Sequence, residues 1–153
     1  MMNYWLMKSE PSVFSFEDLC NKPNQTYCWD GVRNYQARNM MRDAMKCGDL
    51  AFFYHSNCAE PAIVGIMEIV RESYPDDSAF DANHRYFDAK SLPDKPRWFQ
   101  VDVKAVRKLS QPIPLKALKL LSELAELALV KRGNRLSIMP ISASQWDFIL
   151  QHA

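Results

Sequence analysis

Residues 50–70 read LAFFYHSNCAEPAIVGIMEIV. Leu50–Ser56 is rich in aromatics, and Ala62–Val70 is apolar at both parities, the pattern of a strand covered on two faces. Asn57 and Cys58 mark the turn between them. Gly65, in the middle of the second run, predicts a bulge or the close approach of another part of the chain.

Working outward, Trp98–Val106 is an alternating strand, with Phe99, Val101, Val103 and Ala105 on one face and Gln100, Asp102 and Lys104 on the other. Tyr4–Lys8 reads as a first strand, and Leu136–Ile141 as a last short one. Ser15 and Asp18 form a capping box that opens a short helix, and Ser142 with Gln145 opens another, which carries Trp146, Ile149 and Leu150. Residues 34–46 form a helix with an apolar stripe of Ala37, Met40, Met41, Ala44 and Met45, and Gly48 is its expected stop. Helices are also expected over 114–121 and 123–132, ending at Gly133. Residues 74–96 read as a long irregular excursion, a kind of segment that often carries function. Strands with interspersed short helices and no βαβ rhythm give an α+β fold, a small mixed β-barrel of five to six strands with helices packed around it. With no repeat, low-complexity tract or linker, residues 1–153 are read as one domain.

The chain has 153 residues, 48% of them hydrophobic and 24% charged, which suits a globular domain and excludes wholesale disorder. Nineteen bases against eighteen acids leave a net charge of +1, so bulk charge does not drive binding to nucleic acid. The charge is segmented, however: residues 31–47 carry +3, residues 48–94 carry −6 and residues 95–135 carry +7. If the two basic segments meet, they make a local positive patch. No apolar run approaches the ~18 residues of a membrane span, and the N-terminus lacks the apolar core of a signal peptide. Cys20, Cys28, Cys47 and Cys58 have no CxxC spacing, so free thiols and a reducing, cytoplasmic location are expected, or a nuclear one in a eukaryote.

Four glycines cannot write a phosphate-binding glycine motif, and His55, His84 and His152 show no metal-ligand spacing, so neither cofactor nor metal is expected. His55, Ser56 and Cys58 lie close in sequence and raise a hydrolase reading, with His55 acting on Cys58 or Ser56. Alternation along a strand sends His55 and Ser56 to opposite faces, poor geometry for a base and its nucleophile. Glu10, Asp30 and Glu60 sit at element ends, with nothing to fix their separation as an acid–base pair. The aromatics say more. Trp29 lies among polar residues just before a helix, and Trp98 falls on the polar face of its strand, where a flat ligand or a covering loop would bury it. Around them, Lys8, Ser9 and Glu10 end a strand, Asp30, Arg33 and Asn34 open a helix, and Tyr54, His55 and Ser56 end another strand. Aromatic stacking plus edge hydrogen bonds is how a single nucleobase is read. A protein-interaction module would instead bury Trp29 and offer no concave site.

Several runs carry a family resemblance: Trp5–Pro11 (WLMKSEP), Trp29–Asn39 (WDGVRNYQARN), Gly48-Asp49, Phe53–Asn57, Val64–Ile66, Tyr86–Asp88, Trp98 with Val101–Val103, and Arg135–Ile138. The sequence resembles the EVE domain family of the PUA-like superfamily along essentially its whole length. The resemblance implies a PUA-like barrel related to YTH domains, which read N6-methyladenine in RNA. It implies a non-catalytic reader of a modified base, foremost a modified cytosine in DNA, extruded into an aromatic-walled pocket; an RNA-binding module linked to RNA modification is the alternative. Trp29 would be a cage aromatic. Lys8, Ser9, Glu10, Asp30, Arg33, Asn34, Tyr54, His55, Ser56 and Trp98 would line the pocket, and Arg135 and Ser137 would meet phosphate. Larger members fuse the domain to effectors; here an effector would be a separate protein, and the chain a monomer.

Overall fold

The computed structural model describes residues 2–153. Its strands are β1 (Tyr4–Ser9), β2 (Thr26–Cys28), β3 (Leu50–His55), β4 (Ala62–Pro75), β5 (Phe99–Pro114) and β6 (Ile138–Ile141). Its helices are α1 (Phe16–Cys20), α2 (Tyr35–Asp43), α3 (Leu115–Leu118) and α4 (Ala143–Leu150). The strands form one mixed sheet in the order β2–β5–β4–β3–β1–β6, with only β1 and β3 parallel. This is the expected α+β architecture. The hydrogen-bonded ladder stays open, because β2 and β6 are its edges and do not pair among the described residues. Both edges are short, and β6 carries the exposed Pro140, which has no N–H to offer a further strand.

The two-sided apolar runs are explained by two cores, one on each face of the sheet. On one face Trp5, Met7, Ala51, Phe53, Met67, Val101 and Val103 pack against Leu19 of α1 and against Ala37 and Met41 of α2. On the other, Leu6, Phe52, Tyr54, Ile63, Leu109 and Met139 pack against Leu118 of α3 and against Trp146 and Ile149 of α4. Trp146 stacks on Phe52 at 3.9 Å and on Tyr4 at 4.7 Å, ring centre to ring centre. Fully burying each such side chain contributes about 1.5–3 kcal/mol.

Both capping boxes form as expected, Ser15 with Asp18 and Ser142 with Gln145. α2 is shorter than its apolar stripe, ending at Asp43. Ala44 and Met45 both donate to the Met40 carbonyl at 3.0 Å, and Gly48 lies beyond, in the turn into β3, rather than at the helix end. The three-residue β2, paired to β5, was not anticipated. β4 and β5 run well past the expected ends as a long ribbon with four register shifts.

The largest departure is in residues 114–132, which form no pair of α-helices. Only α3 is α-helical; Ser122–Leu124 and Ala128–Val130 are 3₁₀ turns. Leu115, Leu118, Leu121, Leu124 and Leu127 recur every three residues, a period that suits the 3.0-residue turn of a 3₁₀ helix. The backbone follows it, with the N–H groups of Leu121, Leu124, Leu127 and Val130 each donating to the carbonyl three residues earlier.

Gly65 is both bulge and close approach. The register shifts beside it, and a Cβ added there would lie 2.5 Å from the Phe16 ring. The ring of α1 therefore rests directly on the sheet backbone. Gly65→Ala is expected to lower stability by about 1–3 kcal/mol through overpacking, measured by urea unfolding, with the loss reduced in a Phe16→Leu background.

Candidate functional site

Where β1 ends beside the segment joining β2 to α2, a half-open cavity of about 710 Å³ enters the protein. Its inner wall is aromatic. Trp29 is 6% exposed and held edge-on against Phe53, at 5.3 Å and 80°, and against Phe14, at 6.4 Å and 83°. Its backbone N–H donates to the Val101 carbonyl at 2.7 Å, which extends the β2–β5 pairing by one residue. Tyr27 stacks on Phe14 at 5.3 Å and is 38% exposed, and the Lys22 ammonium lies 4.2 Å from its ring centre.

The outer wall comes from the loop between β4 and β5, through His84, Arg85 and Tyr86. A charged cluster fastens this loop. The Asp76 carboxylate, fully buried, accepts from the Gly31 N–H at 2.9 Å, from Arg33 Nη1 at 3.0 Å and from the Ser78 N–H at 3.0 Å. Arg33 also donates to the Tyr86 carbonyl at 2.6 Å and lies between the rings of Tyr86 and Trp98, at 5.6 and 5.4 Å. Gly31 has φ +76°, and a Cβ there would meet the Tyr86 ring at 2.5 Å. Only glycine satisfies both the left-handed backbone and the ring packed on it.

Most of the expected site residues converge here: Lys8, Ser9, Glu10, Trp29, Asp30, Arg33, Asn34, Ser56, Arg135 and Ser137 all line the cavity. Several are already committed within the protein. The Ser9 hydroxyl donates to the Phe14 carbonyl at 2.6 Å, and Glu10 accepts from Asn57 Nδ2 at 2.8 Å. Asn34 Oδ1 caps α2 by accepting from the Ala37 N–H at 2.9 Å, leaving its amide NH₂ for another partner. Arg33 is a clamp on the loop rather than a free cation. Asp30 differs from these: no other described residue donates to its carboxylate, which has only its own backbone N–H for support, and burial, followed by the nearby Asp76, pushes its pKa up. Burial pushes the thiol of Cys28, also at the cavity, up to about 12, which disfavours the thiolate.

Three expected site residues lie elsewhere. Tyr54 follows strand alternation onto the opposite face, where it belongs to the second core. His55 shares the face of Phe53, but its Nε2 accepts the Phe16 N–H at 3.1 Å, holding the start of α1. The Cys58 thiol faces the His55 carbonyl at 3.9 Å, not the imidazole, so these residues form no base–nucleophile pair. Trp98 is covered by the loop and by α2. It stacks on Tyr35 at 4.8 Å, its indole N–H donates to Asp88 at 2.6 Å, and it supports Arg33 from behind. Sequence reading passed over Phe14, Lys22, Tyr27, His84 and Arg85 at this site; the irregularity of 74–96 was the one signal for the last two. Among the described residues no group of histidine, cysteine and carboxylate side chains could hold a metal, and no helix is long and apolar enough to cross a membrane.

A mixed six-stranded sheet covered on both faces by short helices is an α+β fold of the PUA-like class. The chain belongs to the EVE domain family, whose sequence pattern matches residues 3–152. Human thymocyte nuclear protein 1 is 47% identical, over 98% of this chain and 73% of that protein. Its crystal structure in complex with DNA containing 5-methylcytosine superposes with TM-score 0.91, at 47% identity, over 98% of this chain and 96% of that one. A Pseudomonas syringae protein superposes with TM-score 0.93, at 48% identity, over 97% and 98% of the two chains. The YTH domain of Zygosaccharomyces rouxii MRB1, solved with N6-methyladenosine RNA, shares the fold at TM-score 0.55 and 12% identity, over 99% and 86% of the two chains.

Two outcomes follow from this geometry. Asp76→Ala leaves Arg33 without its carboxylate and is expected to cost about 3 kcal/mol, and limited proteolysis should then cut within residues 81–90. His55 titrates below its ordinary 6.5 because burial disfavours the charged ring, so its contribution to stability is complete above that value. That contribution is lost as pH falls through the depressed folded value, when the ring can no longer accept from Phe16. Thermal melts from pH 7.5 to 5 should show the decline, and His55→Gln, which keeps an acceptor, should flatten it.

Proposed function

We propose that the chain is a non-catalytic reader of a modified cytosine in DNA, acting as a single domain that takes one extruded base into the cavity. The observation that carries this reading is Asp30: a carboxylate beside Trp29 to which no other described residue donates, in a cavity where Ser9, Glu10 and Arg33 are already engaged within the protein. A carboxylate accepts from the exocyclic N4 amine of cytosine, and aromatic walls stack any base. Cavities of about 300–1,000 Å³ suit ligands of this class. The bound DNA of the human relative, which contains 5-methylcytosine, supports the same reading at 47% identity. Lys22, Arg85 and Arg135 at the rim and the Asn34 amide are suited to the phosphates and the remaining base edge. Ser137 lies at the same rim, where the backbone N–H of Lys8 donates to its carbonyl at 2.8 Å. The low overall charge suits a reader whose selectivity comes from one enclosed base. Free cysteines suit a reducing compartment, cytoplasmic or nuclear.

Binding of fluorescent oligonucleotides carrying cytosine or 5-methylcytosine, as DNA and as RNA, tests the reading. The methylated DNA is expected to bind most tightly. Asp30→Asn should weaken that binding by about 10-fold, with the melting temperature unchanged, consistent with the ~1–3 kcal/mol of a base-edge contact. Equal affinity for methylated and unmethylated strands would overturn it, and preference for the ribo strand would move the target to RNA.

A further inference from the structure

A second cavity, of about 560 Å³, opens on the far side of Lys8. Lys8 lines both cavities. The 3₁₀ segment and the turn after it form the far wall, through Leu129–Asn134, with Leu115 and Lys119 from the start of the same segment. Its charged lining is entirely cationic: Lys8, Lys119, Lys131 and Arg132, with no carboxylate. The first cavity, by contrast, mixes cations with Glu10 and Asp30.

Two details mark this cavity as built for an anion. Tyr54 lines this cavity; the residue is only 2% exposed, and among the described residues its hydroxyl, which solvent can reach, makes no hydrogen bond. A phenolic hydroxyl with no protein partner keeps its O–H free to donate to a ligand acceptor. Lys8 lies with its ammonium 6.0 Å from that ring, half-buried and forming no ion pair. Burial lowers its pKa, a penalty that a bound anion would relieve. Lys131 leans 3.4 Å from Glu126, which is outside the cavity, while Lys119 and Arg132 are exposed and form no ion pair among the described residues.

The chain continues from Arg132 through Gly133 and Asn134 to Arg135 and Ser137, which line the first cavity. Three residues span at most about 11 Å, so cations of the two cavities follow one another along one short path. We propose that the second cavity is a phosphodiester site, in which Tyr54, Lys8, Lys119 and Arg132 hold the backbone of the DNA strand whose base occupies the first. The identity of that strand rests on the base-reader reading; the anion site rests on the cavity alone.

The test uses the full chain, an unmodified DNA duplex and its 5-methylcytosine counterpart, titrated over a salt series. Lys119→Ala with Arg132→Ala removes two exposed cations and should leave the melting temperature unchanged. It should flatten the slope of log affinity against log salt by about 1.8, two contacts at about 0.9 each, for both duplexes equally. Tyr54→Phe should weaken both by about 2–10-fold without changing the slope, as expected for one uncharged hydrogen bond. The preference for the methylated duplex should be unaltered in both variants. An unchanged slope in the folded double variant would overturn the phosphodiester site, as would the absence of binding to either duplex at low salt. A wild-type protein that binds both duplexes equally, yet loses slope in the double variant, would sustain the site while the base-reader reading fails.

Discussion

The buried carboxylate of Asp76 holds the functional face together. A charge fully removed from water is tolerable only when its lone pairs are filled, and here backbone N–H groups, a guanidinium and a hydroxyl fill them. These donors come from two distant stretches, residues 31–33 and residue 78. The carboxylate therefore ties the end of β4 to the entry of α2, and the loop that follows is carried with it. Arg33 extends the tie to the Tyr86 carbonyl, and Trp98 backs Arg33 while its indole N–H anchors Asp88. The outer wall of the cavity stands where it does because of this cluster, although Asp76 at its centre, with Ser78, Asp88 and Trp98, does not line the space inside.

That arrangement explains why some roles were legible in sequence and others were not. Two-sided burial shows directly in LAFFY and AIVGI, because a strand between two cores has no solvent face to record. Capping boxes are equally legible, since the bond between Ser15 and Asp18 spans three residues of one chain. β2 was invisible because three residues give no period, and its pairing partner lies more than seventy residues away. The leucines of 115–127 did carry their signal. Their strict spacing of three, without the fours that an α-helix needs, is the 3₁₀ register that the backbone adopts.

For the site, the residue types were legible and their assignments were not. Arg33 and Trp98 have the chemistry of ligand contacts, yet both serve the loop, and nothing local distinguishes an arginine that clamps a carboxylate from one that waits for a phosphate. The difference lies in Asp76, forty-three residues further on. Strand alternation was already enough to part Tyr54 from Ser56's neighbour His55, and it sends Tyr54 to the face where the second cavity lies. His55 shows the opposite trap: a histidine at a strand end beside a serine and a cysteine looks catalytic, but its acceptor nitrogen is occupied by the first N–H of α1.

The near-cancellation of charge also takes on a spatial meaning. The acids of residues 48–94 include Asp49 and Asp76, both buried and both spent on internal donors; Asp49 alone accepts from the Trp5 indole and from the N–H groups of Asn3 and Lys46. Buried carboxylates of this kind count in the net charge while presenting little of it to solvent. The bases of residues 116–135 are largely exposed, and some of them line the two cavities around Lys8. A chain that is neutral by composition thus has a cationic margin where its cavities open, while selectivity is left to the enclosed groups. Because attraction falls off within about 8–10 Å at ordinary ionic strength, this margin acts on a strand already at the surface and does little to gather nucleic acid from a distance.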